Sequence, residues 1–141
     1  MFQTTLIAVD VSDAAGTQHL LRAAKALTVS WTGALHVITV VPNAGMPIVA
    51  SYMPGDFDDT SRKAAAELLQ TALQEAQIDA QPHVTSGKAY DSVISKAEEL
   101  GAGLILVGAH QPELRDYLLG SNAARIVRHS SASVAECLSG R

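Results

Sequence analysis

Short apolar runs alternate along this chain with longer stretches in which apolar residues recur every three or four positions. Thr5–Asp10 (TLIAVD) is an apolar run ending in an acid and predicts a buried strand. Ser12 and Asp13 follow, and either side chain can cap a helix whose apolar face carries Leu20, Ala23, Ala24 and Leu27. Gly33 closes that connection, and Ala34–Val41 (ALHVITVV) is a second strand rich in β-branched residues. Residues 42–59 hold three prolines and two glycines without a period, the signature of a long irregular loop. Ser61–Gln77 returns to helical spacing, with Ala65, Leu68, Leu69, Ala72 and Leu73 on one side. Gln81–Ser86 is a short strand, Gly87 a turn and Asp91–Leu100 a helix. Leu104–Gly108 is fully apolar and predicts a central strand, followed by a helix over Leu119–Arg128 and a weak last strand over Ser133–Leu138.

Regular alternation of strand and helix predicts an α/β fold, with one doubly wound five-stranded parallel sheet and helices on both faces. One domain spanning 1–141 accommodates the whole pattern. Ligands of such sheets bind beyond the carboxyl ends of the strands, where the strand order reverses. Asp10, Val40–Val41 and the loop after Gly108 therefore become the places to look for chemistry.

Composition narrows the function classes. The chain is 48% hydrophobic and 17% charged, which suits a packed globular domain. Its net charge is −4, with no Lys/Arg run and few aromatics, against nucleic-acid binding. No apolar run approaches the roughly 18 residues of a membrane span, and Met1 leads straight into a strand, so a cytoplasmic protein without membrane insertion is expected. Cys137 stands alone, which excludes a disulfide framework and a thiolate zinc site; it reads as a strand residue ahead of a catalytic thiol.

The stretch GAHQPELRDYLLGSNAARIVRHS holds the most chemistry. A helix starting near Gly120 presents free N–H groups and a partial positive charge. Gly120 lets backbone approach an anion, and Ser121 and Asn122 add side-chain donors; Gly108 does the same at the end of a central strand. The alternative is a plain turn at Gly120 with Ser121 as an ordinary N-cap. Asp10 has two readings as well: partner to an adenine amino group or ribose hydroxyl, or a structural acceptor that caps the first helix or binds amides of its own loop. His110 and Arg115 are positioned in sequence to reach phosphate, or to be solvated. No Ser-His-Asp or Cys-His arrangement is evident, and the remaining histidines lack metal-ligand spacing, so neither catalytic nor metal residues are assigned. The G-x-G-x-x-G and G-x-x-x-x-G-K-[ST] signatures are absent, as is the kinase set. A receiver domain fails too, because no middle strand ends in an aspartate.

With these residues assembled, the chain resembles the universal stress protein family. The resemblance runs through LIAVDVSD, ITVVP, SGKAYDSVI and LILVGAHQPELRDYLLGSNAARIVRHS. The family motif is G-x2-G-x9-G-[ST] before a helix that ends in Arg-His, and Gly108, Gly120, Ser121 and the Arg128–His129 pair match it. The wording is closest to the short enterobacterial-type branch and to regulators associated with TRAP transporters. The resemblance implies the adenine nucleotide α-hydrolase-like sheet order 3-2-1-4-5. It also implies ATP with Mg²⁺, or ADP or AMP, as ligand. Ala8 and Asp10 would meet adenine and ribose, and Val40 the adenine through its backbone. Gly108, Ala109, His110 and Gln111 would wrap ribose and phosphates, and Gly120, Ser121 and Asn122 would bind the phosphates. The chain departs from the motif at Gln111, which replaces the second glycine, and in having eight residues rather than nine before Gly120; Gln111 and Arg115 can supply donors instead. At the end, SVAECLSGR replaces the apolar strand that pairs family homodimers.

These readings predict a non-enzymatic ATP-binding regulator with at most weak hydrolysis, whose occupancy orders loops 42–59 and 110–118 for a transporter or stress-response partner. A slow ATPase and a degenerate scaffold that binds no nucleotide are the competing functions.

Overall fold

The computed structural model describes residues 2–30, 33–41, 57–108 and 121–137, with backbone alone at 57–59 and 121–124. Five strands form one sheet: β1 (Thr4–Ala8), β2 (Ala34–Val41), β3 (Gln81–Ser86), β4 (Leu104–Gly108) and β5 (Ser133–Cys137). Every neighbouring pair is parallel, in the order β3-β2-β1-β4-β5. Among the described residues four helices link them: α1 (Ala14–Thr28), α2 (Phe57–Ala76), α3 (Ala89–Leu100) and α4 (Ser121–His129). The doubly wound five-stranded sheet and its order agree with the sequence reading.

Side chains alternate across the sheet and divide the core in two. Ile7, Val37 and Leu106 point to one face, where Leu20 and Leu21 of α1 and Leu69 and Leu73 of α2 cover them. Leu6, Ile38 and Ile105 point to the other, beneath Val93 and Ala97 of α3 and Ile126 of α4. Leu6, Ile7, Ile105 and Leu106 are fully buried because β1 and β4 are central and covered on both faces.

Several element edges differ from expectation. The first strand ends at Ala8, because beyond Val9, whose N–H donates to the Ile38 carbonyl at 3.0 Å, the chain turns away from β2. Asp10 is a loop residue. On α1 the buried positions are Thr17, Leu20, Leu21, Ala24 and Thr28. Leu27, expected on that stripe, is 46% exposed; at 100° per residue it lies about 80° from the stripe's centre. Leu68, also expected inside, is 53% exposed and sits about 95° from the centre of the buried stripe of α2. α2 begins at Phe57, four residues before the expected start, and α3 at Ala89, two before. Leu119, Gly120 and Leu138, the ends of two expected elements, lie outside the described residues.

The entry to the sheet imposes a close approach. Ala34 N–H donates to the Gln3 carbonyl at 2.8 Å, so Gly33 runs beside the start of β1. A methyl group there would collide with the carbonyl oxygens of Phe2 and Gln3. We expect Gly33→Ala to lower unfolding free energy by about 1–3 kcal/mol, the usual cost of overpacking, measured by urea denaturation.

β5 carries a carboxylate in a poorly solvated position. Glu136 aligns with Val107, and its Oε2 is buried without a hydrogen-bond partner among the described residues. Burial raises the Glu136 pKa above the ordinary glutamate value. The neighbouring Cys137 thiol is pushed up as well, first by burial and then by the Glu136 charge. An acid with a raised folded-state pKa favours the fold at low pH and costs stability as pH rises through that value. Glu136→Gln should therefore stabilise the protein at pH 7, and the gain should vanish below about pH 4.5, which thermal melts across pH will read.

Candidate functional site

The strand order reverses between β1 and β4. β1 leads through α1 to β2 on one side, whereas β4 leads through α4 to β5 on the other. A crevice of about 730 Å³ opens there, at the carboxyl ends of β1, β2 and β4. That volume is in the range of small-ligand sites.

The β1–α1 turn forms one wall and is held rigidly by its own residues. Asp13 caps α1, its Oδ1 accepting from Gly16 N–H at 3.0 Å. A Cβ on residue 16 would collide with that carboxylate, which explains the glycine. The Asp10 carbonyl accepts from Asp13 N–H at 3.0 Å and from Thr17 Oγ1 at 2.7 Å. Asp10 Oδ1 accepts from Ser12 N–H at 3.0 Å and from Ser12 Oγ at 2.5 Å. Of the two readings of Asp10, the loop-acceptor role is present, and the same residue also lines the crevice.

The end of β2 forms the second wall, and its backbone direction is informative. Within a strand, the N–H and C=O of one residue point to the same side and alternate along the chain. The Ile38 carbonyl faces β1, since Val9 donates to it, whereas the Val41 carbonyl faces β3 and accepts from Gly87 N–H at 3.0 Å. Val40 therefore directs its N–H and C=O toward β1. The β1–β2 pairing has ended by then, at Ala8↔Ile38. Two backbone groups at the end of β2 face the crevice with no strand beside them among the described residues.

Gly108 ends β4 and lines the same space. Among the described residues, a Cβ built there would meet only Leu20 Cδ2, at 3.7 Å, an ordinary contact. Internal packing thus does not demand a glycine, and the room lies on the crevice side. Four of the sequence-selected residues, Ala8, Asp10, Val40 and Gly108, meet around one cavity. Ser121 and Asn122 open α4. Ala109, His110, Gln111, Arg115 and Gly120 lie outside the described residues.

Sequence reasoning missed the roof. Ser61, Ala64 and Leu68 of α2 line the crevice on one side, and Ala89 and Val93 of α3 on the other. Leu68 was assigned to the core because its helical spacing fits; its exposure follows from its place at the crevice. Tyr90 and Arg125 were also overlooked. The Arg125 guanidinium lies 4.8 Å from the Tyr90 ring centroid and ties α4 to α3 one residue from Ile126, which lines the crevice. Such an exposed cation–π contact contributes on the order of 0.5–1 kcal/mol.

Electrostatically the described lining is apolar with an acidic rim from Asp10 and Asp13. Among the described residues no group of three His, Cys, Asp or Glu side chains assembles to hold a metal. Among them too, no helix is long and apolar enough to cross a membrane.

Comparison with known proteins gives these features a setting. The chain is 30% identical to universal stress protein G of Escherichia coli O157:H7 over 139 residues, covering 95% of this chain and 97% of that protein. Universal stress protein UspA from Lactobacillus plantarum superposes with a TM-score of 0.75 at 18% identity, covering 95% and 96% of the two chains. A universal stress protein crystallised in complex with cAMP superposes at 0.67 and 22% identity, covering 97% of each. With the universal stress protein family model matching residues 1–135, on top of the sheet order and the crevice at its switch point, this chain belongs to the universal stress protein family.

Proposed function

We propose that the chain is a nucleotide-binding regulator whose crevice takes an adenine nucleotide, ATP with Mg²⁺ foremost and ADP or AMP as alternatives. The observation that carries this reading is the pair of Val40 backbone groups turned into a 730 Å³ cavity where the pairing with β1 has stopped. An N–H beside a C=O matches the acceptor and donor on the edge of adenine. Ile38, Val40 and Leu68 supply apolar contact for a flat base. The cAMP bound by a structural relative supports an adenine ligand.

In this reading Ala8 and Asp10 lie beside base and ribose. Residues 108–111, Arg115 and Gly120 through Asn122 carry the phosphates, with Mg²⁺ held chiefly by phosphate oxygens. The protein acts by occupancy rather than turnover: a ligand that binds one conformation of loops 42–59 and 110–118 more tightly shifts the population toward it. A protein partner, such as a TRAP-type transporter, reads the resulting surface. The chain works as a single domain in the cytoplasm, as a homodimer through the outer edge of β5, an association weakened because SVAECLSGR stands in place of an apolar strand.

Calorimetric titration of MgATP into nucleotide-free protein tests the reading. We expect saturable binding, and a thermal shift equivalent to about 2.7 kcal/mol at a hundred times the dissociation constant. Gly108→Ala should keep its unfolding free energy within about 0.5 kcal/mol while losing about ten-fold or more in affinity, and Gly120→Trp should abolish binding. Absence of heat and of thermal shift with ATP, ADP and AMP alike would leave a scaffold instead.

A further inference from the structure

Away from the crevice, two ionisable side chains meet head to head. His36 Nδ1 on β2 and His83 Nε2 on β3 are 2.9 Å apart, with ring centroids separated by 5.1 Å and planes inclined by 26°. The separation of the centroids is about that of two near-coplanar rings joined edge to edge through one N–H···N hydrogen bond. One ring donates and the other accepts. A first additional proton is accommodated, because an imidazolium still donates to a neutral partner. A second puts N–H against N–H and two positive charges in contact, so the bond cannot survive it.

The pair stands on the sheet face that α3 covers, since His36 precedes Ile38 by two residues and Ile38 aligns with His83. From α3 the charged groups facing it are Lys96 and Glu99, themselves paired at 3.2 Å; from β1, Leu6 aligns with His36. Burial and the Lys96 charge lower the proton affinity of both rings. His36 further lowers that of His83, and Glu99 opposes the effect.

What the pair joins gives it consequence. β3 is an edge strand, attached to the sheet through β2. Three residues beyond His83, Ser86 accepts from Arg62 of α2 at 3.3 Å, and Gly87 N–H then bonds the Val41 carbonyl. The chain enters α3 immediately afterwards, where Ala89 and Val93 line the crevice. α3 thus lines the crevice with its first turns and brings the Lys96 charge to bear on the histidine pair about 10 Å further along its axis.

We propose that His36 and His83 form a proton-operated latch between β2 and β3. With at most one added proton it reinforces the ladder that holds the edge strand to the sheet, and with two it loosens β3 and the crevice wall that β3 and α3 carry. The chain would then sense protons as well as ligand, and whatever binds against Ala89 and Val93 would in turn oppose protonation of the latch, because coupling between sites is reciprocal. The sign is set by the rings binding protons less readily in the fold than in the unfolded chain. The latch's contribution to stability is complete above the ordinary histidine value of about 6.5 and is lost as pH falls through the lowered folded-state values.

Histidine NMR titration combined with amide hydrogen exchange, on the full chain without nucleotide, tests this independently of ligand binding. The two rings should titrate in two coupled steps separated by more than about one pH unit. Through the second step, exchange in 81–93 should quicken about ten-fold or more while β1 and β4 remain protected. His83→Gln and His36→Gln should each leave a single step and abolish the local change. Independent titration of both rings near the ordinary histidine value would overturn the latch. So would exchange rising equally in all strands, which would mark global acid unfolding, or an unchanged exchange response in both variants.

Discussion

The parallel pairing of β1 with β2 on one side and β4 on the other decides where everything else in this protein sits. Each pairing satisfies the backbone of an apolar strand that has no water to bond with, so both neighbours must be present. Because the chain leaves β1 and β4 in opposite directions, their connections diverge and leave a gap at the carboxyl ends. The crevice is a consequence of that divergence, not of any residue placed to hollow it out.

The walls of the gap show how backbone and side chain divide the work. The β1–α1 turn is locked by Asp10, Ser12, Asp13 and Thr17 acting on one another, so the acidic rim is structurally engaged before any ligand arrives. At β2 it is the main chain that remains available, through the alternation that turns Val40 toward a partner strand that has ended. The proposed recognition of a base rests on this arrangement. Backbone groups offer directed hydrogen bonds while remaining insensitive to the titrations that alter side chains.

β3 and α3 connect the two ends of the molecule. The same stretch that contributes Ala89 and Val93 to the crevice begins at an edge strand held by a histidine pair. Edge strands are the more easily opened parts of a sheet, and their exchange behaviour reflects that. A charge-sensitive contact in such a position has more leverage on the crevice than it would have on central β1 or β4.

Much of this was legible in the residue pattern. Runs such as TLIAVD and LILVG can be buried on both sides only in a parallel sheet, and strict strand–helix alternation then leaves few topologies. Gly108 and Asp10, which line the crevice, stand out because a glycine ends one apolar strand and an acid follows another; Gly120, which the family motif pairs with Gly108, lies outside the described residues. Periodicity could not tell a helix position under the sheet from one beside the crevice, and so Leu68 was assigned to the core. Nor could it reveal that Asp10 accepts from Ser12, that Val40 faces a terminated pairing, that Arg125 reaches Tyr90, or that His36 meets His83 across 47 positions of sequence. Local pattern determined which segments form strands and helices, because each segment's spacing carries that information alone. Which polar groups meet depended on register and on the covering helices, and those exist only once the sheet has closed.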